Sequence, residues 1–561
     1  MSHSRRTFIK GMGASALAFY SVDLVADLIA QGPQSRPLES KFKGMADIVL
    51  AEARRAGCSY ADVRFTMNVN IPGASANFSS GRGGAGRGGG RGGGRGGGRG
   101  GGRGGFGRGG FGGGGDGTIP TDAQRQAAGL GVRVVHSGVW GFASSPIVTE
   151  DEIVRITRMA TEVARASAIA KRADLNLAPV PPVVTHWKTP MQKDPTSVSE
   201  TDRETFVNTI VERARAVEGV TNVNASVNCD YEWKYFASSE GSYIEQEIYT
   251  VQPSLSIQAR VGDETGSRNY PGVPGTGGWE IAEASDLQEA AERVANEAVE
   301  ACTAKPLGAA GPRDLILTPS HAMLTIHEII GHPTELDRVV GYEANYAGTS
   351  FITLADVGKL KYGSKLFNVT ADRTTRGLGS VGYDDDGVKT TEFPIVREGI
   401  LVGLQTNRET AHFLGETESR GCTHAGSWRD YPFLRMPNVH VDPGPPGSPT
   451  LAEIIADTKN GVLIDGRGSY SIDQQRYNGQ FGGNAFWEIL NGKVTRMVTN
   501  VTYNAITTDF WANLDAVTGP DEWRMYGTGG DAKGQPVQTN SISHGSPWMR
   551  IRNIMVGAAF S

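Results

Sequence analysis

A tract rich in glycine and arginine, residues 81–117, most constrains how this 561-residue chain can fold. Glycine fills most of its positions and arginine recurs every four residues through its middle, so the tract has no apolar face to bury and is expected to be a flexible coil. Strand-like sequence lies on both sides, from Tyr60 to Asn70 and again from Gly129. We therefore predict that the tract interrupts one domain and does not connect two.

The tract also concentrates positive charge. Its seven arginines and one aspartate give a net charge of +6, whereas the whole chain carries −5. The remaining sequence is therefore acidic and gives no general reason to expect nucleic acid as a partner. Two interpretations stay open: an arm that binds RNA or an acidic surface, and an insertion at a hairpin tip that is merely tolerated. RNA binding would be salt-sensitive and would disappear when residues 81–117 are removed.

The N-terminus has the pattern of an export signal. Arg5 and Arg6 follow Ser4 and precede Thr-Phe-Ile-Lys, and a moderately apolar run then continues to about Ala30. This order is typical of the twin-arginine (Tat) pathway. Aspartates and glycines interrupt the apolar run, which makes it a poor permanent membrane anchor. We predict a Tat signal over residues 1–30 and a periplasmic or otherwise extracytoplasmic protein.

Hydrophobic periodicity divides the remaining chain into three parts. We predict an N-terminal α/β domain over residues 38–185, which contains the tract, a middle segment over 186–305 and a C-terminal domain over 306–561 that is rich in short strands and turns. The fold class is α+β. The predicted helices cover residues 43–56, about 150–170 after a capping box at Thr149, about 203–217, and 287–302.

The sequence HEIIGHPTE, which starts at His327, resembles a zinc-binding helix, but its histidines are five residues apart instead of four. On an ideal α-helix, residues five apart differ by about 140° in bearing, so His327 and His332 cannot share a metal ion. A π-bulge would lengthen the turn and realign them. Alternatively, the helix ends at Gly331 and His332 swings inward, with Pro333 preventing continuation.

Glu328 lies between the two histidines and has a role of its own in this chemistry. A divalent metal ion lowers the pKa of its bound water, and a neighbouring carboxylate accepts the proton. The activated water attacks a carbonyl group, and Glu328 returns the proton to the leaving amine. Glu335 and Asp337 are candidates for holding the histidines from behind, although charges at a helix end are commonly just solvated.

Several stretches together resemble the TldD/PmbA metalloproteases, also called modulators of DNA gyrase. The resemblance includes YADVRF, HEIIGHPTELD, GYDDDG, EGILVGL, WRDYPFLRMPN and GQFGGNAFWEI, and it covers nearly the whole mature chain. The TldD-like members carry the spaced histidine motif, which their PmbA/TldE-like partners lack. The resemblance implies an N-terminal α/β region, a β-rich catalytic domain, and a dimer enclosing a cavity that admits only unstructured peptides. It also implies that His327 and His332 are metal ligands and that Glu328 is the acid/base.

The third ligand departs from the family pattern. In the family it is a cysteine near the C-terminus, in a C-G-K-like turn, whereas the corresponding stretch here is Gly-Gly-Asp-Ala-Lys-Gly with Asp531 at or beside the cysteine position. A carboxylate is an ordinary zinc ligand, and a harder ligand can also admit other divalent metals. We predict Asp531, with His544 and the pair Cys422 and His424 as alternatives.

We therefore predict a zinc-dependent peptidase, with one divalent ion, that acts on small or unfolded polypeptides. The alternative is a non-catalytic, peptide-binding partner subunit that has lost its metal together with the cysteine. The expected assembly is a homodimer or a heterodimer with a TldE/PmbA-like subunit, and the sequence does not distinguish between them.

Overall fold

The computed structural model describes residues 37–80, 128–346 and 348–558. The predicted export signal and the glycine-arginine tract lie outside these ranges and stay predictions. Within the described residues the chain forms two large sheets with helices, each associated with a hydrophobic core of its own. The predicted α+β class is confirmed. No helix of the described residues has the length and hydropathy needed to cross a membrane.

The first sheet is mainly antiparallel. Its eight strands are β1 Tyr60–Ser79, β2 Gly129–His136, β3 Val139–Ser145, β4 Val184–Lys188, β5 Val220–Ser238, β6 Tyr243–Val261, β7 Glu264–Tyr270 and β8 Gly275–Thr276. The spatial order is β3-β2-β1-β5-β6-β4, with β7 and β8 paired to β6. Only β4 and β6 are parallel among these pairs. The accompanying helices are α1 Lys41–Arg55, α2 Glu150–Ser167, α3 Glu200–Arg215, α4 Glu280–Glu283 and α5 Leu287–Thr303.

Local signals placed these helices well. The Thr149 side chain accepts a hydrogen bond from the backbone N–H of Glu152 and so caps α2 where the capping box was predicted. Gly57 follows α1 with a φ of 83°, a left-handed conformation that glycine adopts without strain. Each of the four predicted helices is present, with ends shifted by up to three residues. The glycine-arginine tract lies between β1 and β2, which pair antiparallel, as expected for an insertion within one domain.

Strands from the two sides of the predicted boundary at residues 185/186 share one sheet. β1 comes from the first predicted part and β5 from the second, yet they pair from Asp62–Ser238 to Ser79–Asn222. Their inward side chains share one core, to which α1, α2, α3 and α5 all contribute. The two predicted parts therefore share a sheet and a hydrophobic core. The change of sheet comes after α5, close to the predicted boundary at 305/306.

The second sheet contains ten strands. They are β9 Lys305–Pro306, β10 Gly311–Leu317, β17 Asn460–Asp465, β18 Tyr470–Ile472, β19 Asn478–Gly482, β20 Ala485–Leu490, β21 Lys493–Thr499, β22 Val501–Ile506, β23 Leu514–Val517 and β26 Met549–Ala558. Smaller sheets contain β11 Val369–Asp372, β12 Glu392–Arg397, β13 Ile400–Leu401, β14 Thr423–His424, β15 Phe433–Leu434, β16 Asn438–Val441, β24 Arg524–Lys533 and β25 Gln538–Ser546. The helices are α6 Pro319–Ile326, α7 Leu336–Val339, α8 Leu451–Ala456 and α9 Thr507–Ala512.

Helix α6 follows β10 directly and is entirely buried. Thr318 caps it by accepting a hydrogen bond from the backbone N–H of His321. Asp465 braces the same end, since one carboxylate oxygen accepts from Thr318 and Ser320 while the other bonds Arg268 of the first sheet. The start of this helix is thus fixed to both sheets.

The acidic turn GYDDDG also connects the two bodies of the molecule, by which we mean the first sheet with its helices and the second sheet with its helices. It is a tight turn whose carboxylates are buried. Asp386 lies 2.7 Å from the Arg133 guanidinium and Asp385 lies 3.3 Å from the Lys234 ammonium. Both cations belong to the first sheet, so the turn pairs buried opposite charges across the boundary between the bodies.

Candidate metal centre

The chain bends where the histidine motif requires it. Helix α6 continues into a π-helical turn, His327–Gly331, in which the backbone N–H of His332 donates to the carbonyl of His327. A 3₁₀ turn, His332–Thr334, follows with Pro333 in its first turn. The first of the two backbone arrangements predicted to align the histidines, a π-bulge, is therefore confirmed. As a result the rings of His327 and His332 lie with centroids 4.4 Å apart.

Gly331 makes room for this turn. A β-carbon added there would lie 2.4 Å from the Met436 sulfur, although the backbone of Gly331 is helical and would accept alanine. We expect Gly331→Ala to destabilise the protein by about 1–3 kcal/mol, the usual cost of overpacking a core. Chemical denaturation measures this change. Gly44→Ala is the control, because that glycine lies in α1 with nothing within 4 Å of an added β-carbon. Equal stability of wild type and Gly331→Ala would contradict the packing argument.

Asp531 reaches the same point from the hairpin of β24 and β25. The register of this hairpin shifts between Thr528 and Asp531, at the two intervening glycines, and such irregularities redirect the following side chain. The Oδ1 atom of Asp531 lies 3.6 Å from Nε2 of His327 and 3.7 Å from Nε2 of His332. Two histidines and a carboxylate, predicted from the sequence as a ligand set, are thus brought together.

The donor set fits a divalent metal ion. One ligand atom from each of His327, His332 and Asp531 lies within 4.8 Å of the others, and all three residues are buried. Two imidazoles and one carboxylate are ordinary ligands of catalytic zinc. Burial opposes ionisation of Asp531, but the charge of Arg435 holds its pKa below the ordinary value. The carboxylate therefore stays charged, as a ligand must.

Hydrogen bonds behind the histidines set their tautomers. Nδ1 of His544 lies 3.0 Å from the Val439 carbonyl and therefore carries a proton. Its Nε2 is then the acceptor for Nδ1–H of His327 at 3.0 Å, which directs Nε2 of His327 toward Asp531. Burial, followed by the charge of Arg338, lowers the pKa of His332 well below its usual value, so this ring is neutral.

The alternative third ligands lie outside the cluster of His327, His332 and Asp531. His544 is not at the centre but lies behind His327, where it supports that ring. Cys422 lies apart from the centre with its Sγ 3.8 Å from the Arg420 carbonyl, and burial raises the pKa of its thiol to about 12. His424 faces Asp385 across 3.6 Å. Of the three possibilities left open, the structure places only Asp531 beside both histidines.

Glu335 supports His332 as the sequence suggested. Its Oε2 lies 2.9 Å from Nδ1 of His332, and the Nε of Arg338 donates to the same oxygen at 2.6 Å. A carboxylate behind a ligating imidazole fixes the tautomer and the orientation of the ring. Asp337, proposed for the same role, accepts hydrogen bonds from the Lys533 ammonium instead.

Glu328 faces a polar wall that sequence reasoning did not find. Its Oε2 lies 3.6 Å from the Arg476 guanidinium. Burial lowers the pKa of Arg476 and of Arg467, and the charge of Glu328 opposes that shift in both. Burial and then Glu328 raise the pKa of Tyr470 to about 12. Two cations and a phenol therefore interact electrostatically with this carboxylate, and no motif in the sequence marks them.

Two domain models of one family match most of this chain. The PmbA/TldA metallopeptidase central domain matches residues 193–301 and the PmbA/TldA metallopeptidase C-terminal domain matches residues 310–558. The chain belongs to the PmbA/TldA metallopeptidase family. The resemblance to TldD/PmbA proteins drawn from the motifs is confirmed, and the matched C-terminal domain includes His327, His332 and Asp531.

Similar proteins of this family carry names that point to the same class. A metalloprotease of Methanothermobacter thermautotrophicus is 29% identical over 445 residues, which cover 79% of this chain and 91% of that protein. A zinc metalloprotease TldD homolog of Saccharolobus solfataricus is 22% identical over 447 residues, covering 76% and 90% respectively. These names support membership in a metallopeptidase family.

Solved structures share the fold. TldE from Thermococcus kodakarensis aligns with a TM-score of 0.65 at 15% identity, covering 92% of this chain and all of that one. A structure from Thermotoga maritima, described as a putative modulator of a DNA gyrase, aligns with a TM-score of 0.66 at 15% identity over the same shares. At this identity the likeness establishes the architecture alone.

Proposed function

We propose that this PmbA/TldA family member is a zinc-dependent peptidase. The observation that carries the proposal is the position of Asp531, whose carboxylate lies within 4 Å of both ligand nitrogens of the histidine motif. A residue that replaces the cysteine of the family pattern still completes a ligand set. The name of the Saccharolobus solfataricus relative supports zinc as the metal.

His327, His332 and Asp531 would hold the ion. Zinc bound there would supply Lewis acidity, which lowers the pKa of water and polarises a carbonyl group. Glu328 directly follows the ligand His327 and is the general base that takes the proton of the attacking water. The same carboxyl group then donates that proton to the amine of the leaving peptide. Asp531 and Glu328 thus have separate roles, one binding and one transferring a proton.

The polar side chains near Glu328 can act on the substrate during this reaction. Negative charge develops on the scissile carbonyl oxygen, and donors fixed in advance stabilise it. Arg467, Arg476 and Tyr470 offer such donors beside Glu328. We propose that they contact the substrate, and Tyr470 is the neutral donor among them.

Access to the centre supports an unfolded substrate. The side chains of Glu328 and His332 are 4% and 5% exposed, so a rigid protein surface cannot reach them, whereas a single extended chain needs only a narrow path. We propose small or unfolded polypeptides as the substrate class. From the sequence alone we also propose export through the Tat pathway to an extracytoplasmic location, and assembly as a homodimer or with a TldE/PmbA-like subunit.

Metal removal tests the function. We expect dialysis against a zinc chelator to abolish cleavage of an unstructured peptide, and stoichiometric zinc to restore it, because the ligand set has no protein substitute for the ion. The measurement is peptide hydrolysis together with the metal content of the protein. A full-length protein that contains no metal and hydrolyses no peptide, alone or with a TldE/PmbA-like subunit, would instead be the non-catalytic partner.

A further inference from the structure

Lys533 lies on β24 two residues beyond the ligand Asp531, so the two side chains project to the same face of the strand. It is completely buried. Burying an ammonium group is costly unless it is fully paired and hydrogen-bonded. A buried lysine on the strand that carries Asp531 therefore needs acceptors for its charge.

Three acceptors surround the Lys533 ammonium. Its Nζ lies 2.9 Å from Oε1 of Glu335, 2.7 Å from Oδ2 of Asp337 and 3.0 Å from the Leu434 carbonyl. A lysine ammonium has three N–H donors, and each of them has an acceptor here. The group is therefore held in one position.

Glu335 connects this ammonium to the metal centre. One of its oxygens bonds Lys533 and the other lies 2.9 Å from Nδ1 of the ligand His332. A carboxylate thus lies between the ligand His332, which follows the π-helical turn, and a lysine on the ligand-bearing strand.

We propose that Lys533 is a positioning residue that sets the distance between His332 and Asp531. These two ligands lie on segments far apart in sequence, and Lys533 ties β24 to the turn at Glu335. The inference rests on the proposed metal function. Outer contacts of this kind typically change metal affinity by roughly 10- to 100-fold when they are removed.

Lys533→Met tests this role, with Lys234→Met as the matched control. Lys234 is also a buried lysine paired with an aspartate, but it lies at the boundary between the two bodies. Zinc affinity of the folded protein is measured by competition with a chromophoric chelator, and thermal unfolding of the metal-free proteins is recorded in parallel. We expect Lys533→Met to bind zinc roughly 10- to 100-fold more weakly, whereas Lys234→Met loses thermal stability and keeps wild-type affinity.

Cobalt provides a second readout that a purely structural lysine would not change. The visible absorption of bound Co²⁺ reports the geometry of its ligands, so we expect an altered spectrum for Lys533→Met and the wild-type spectrum for Lys234→Met. If Lys533→Met does not fold, Lys533→Met/Glu335→Gln replaces it. That variant removes both charges together and retains an amide oxygen as the acceptor for His332, so the same loss of affinity is expected.

Two results would contradict the proposal, and they can be told apart. Wild-type zinc affinity and an unchanged cobalt spectrum in the Lys533 variant would overturn the positioning role and leave the metal centre standing. Failure of the wild-type protein itself to bind zinc or cobalt would overturn the metal centre, and the role of Lys533 with it.

Discussion

Glu328→Gln is expected to lower kcat/KM for peptide hydrolysis by roughly 10²–10⁴-fold, the usual contribution of general acid–base catalysis. The amide has nearly the shape of the carboxylate but cannot accept a proton from water. Steady-state hydrolysis of a fluorogenic peptide measures the loss.

Metal binding separates this effect from a damaged site. Glu328 is not among the three grouped ligand residues, so Glu328→Gln should hold zinc as wild type does. Glu300→Gln is a control for the substitution itself, because that glutamate bonds a backbone N–H far along the chain at Met497. Cleavage by Glu328→Gln at the wild-type rate would defeat the peptidase mechanism.

Asp531→Ala is expected to remove the metal. Two imidazoles alone leave the ion without its carboxylate, so we expect zinc affinity to fall by more than the roughly 100-fold upper limit typical of outer contacts. Activity should fall with it at limiting zinc. Competition with a chelator and metal analysis after gel filtration measure the change.

Asp531→Cys, unlike Asp531→Ala, should keep the metal if the side chain at this position is a ligand. A thiolate binds zinc well and favours softer metals, so this variant should retain zinc while its preference shifts from Mn²⁺ toward Cd²⁺. Asp515→Ala is the matched control, since that aspartate pairs with Arg550 and Arg552 away from the centre and should affect stability only. Full zinc occupancy in Asp531→Ala would show that this carboxylate is not a ligand.

The histidine motif was predictable because its geometry is local. A five-residue spacing, a glycine and a proline restrict the backbone to a few paths, and the π-helical turn is one of them. Asp531 was predictable for a different reason, namely that a family pattern indicated where the third ligand should lie. The alignment with the family pattern identified Asp531, whereas hydrophobic periodicity alone would not have singled it out.

The surroundings of the ligands were not predictable in the same way. Lys533 meets Glu335 across nearly two hundred residues, and His544 meets His327 across a similar separation. Such contacts depend on how strands pair in three dimensions, and nothing in the local spacing encodes them. The same reason explains β1, which was predicted to end at Asn70 but continues to Ser79, because its pairing with β5 overrides a stretch with proline and glycine.

The unequal lengths of β1 and β2 have a practical consequence for the glycine-arginine tract. β2 begins opposite Thr66, whereas β1 continues to Ser79, so the connecting chain must return by about 40 Å at roughly 3.3 Å per residue. Excision of residues 81–117 would leave a tether that reaches this far only when nearly fully stretched. An insertion that is tolerated can thus also supply the chain length needed to connect β1 and β2. Experiments on RNA binding should therefore exchange its arginines for serine at constant length.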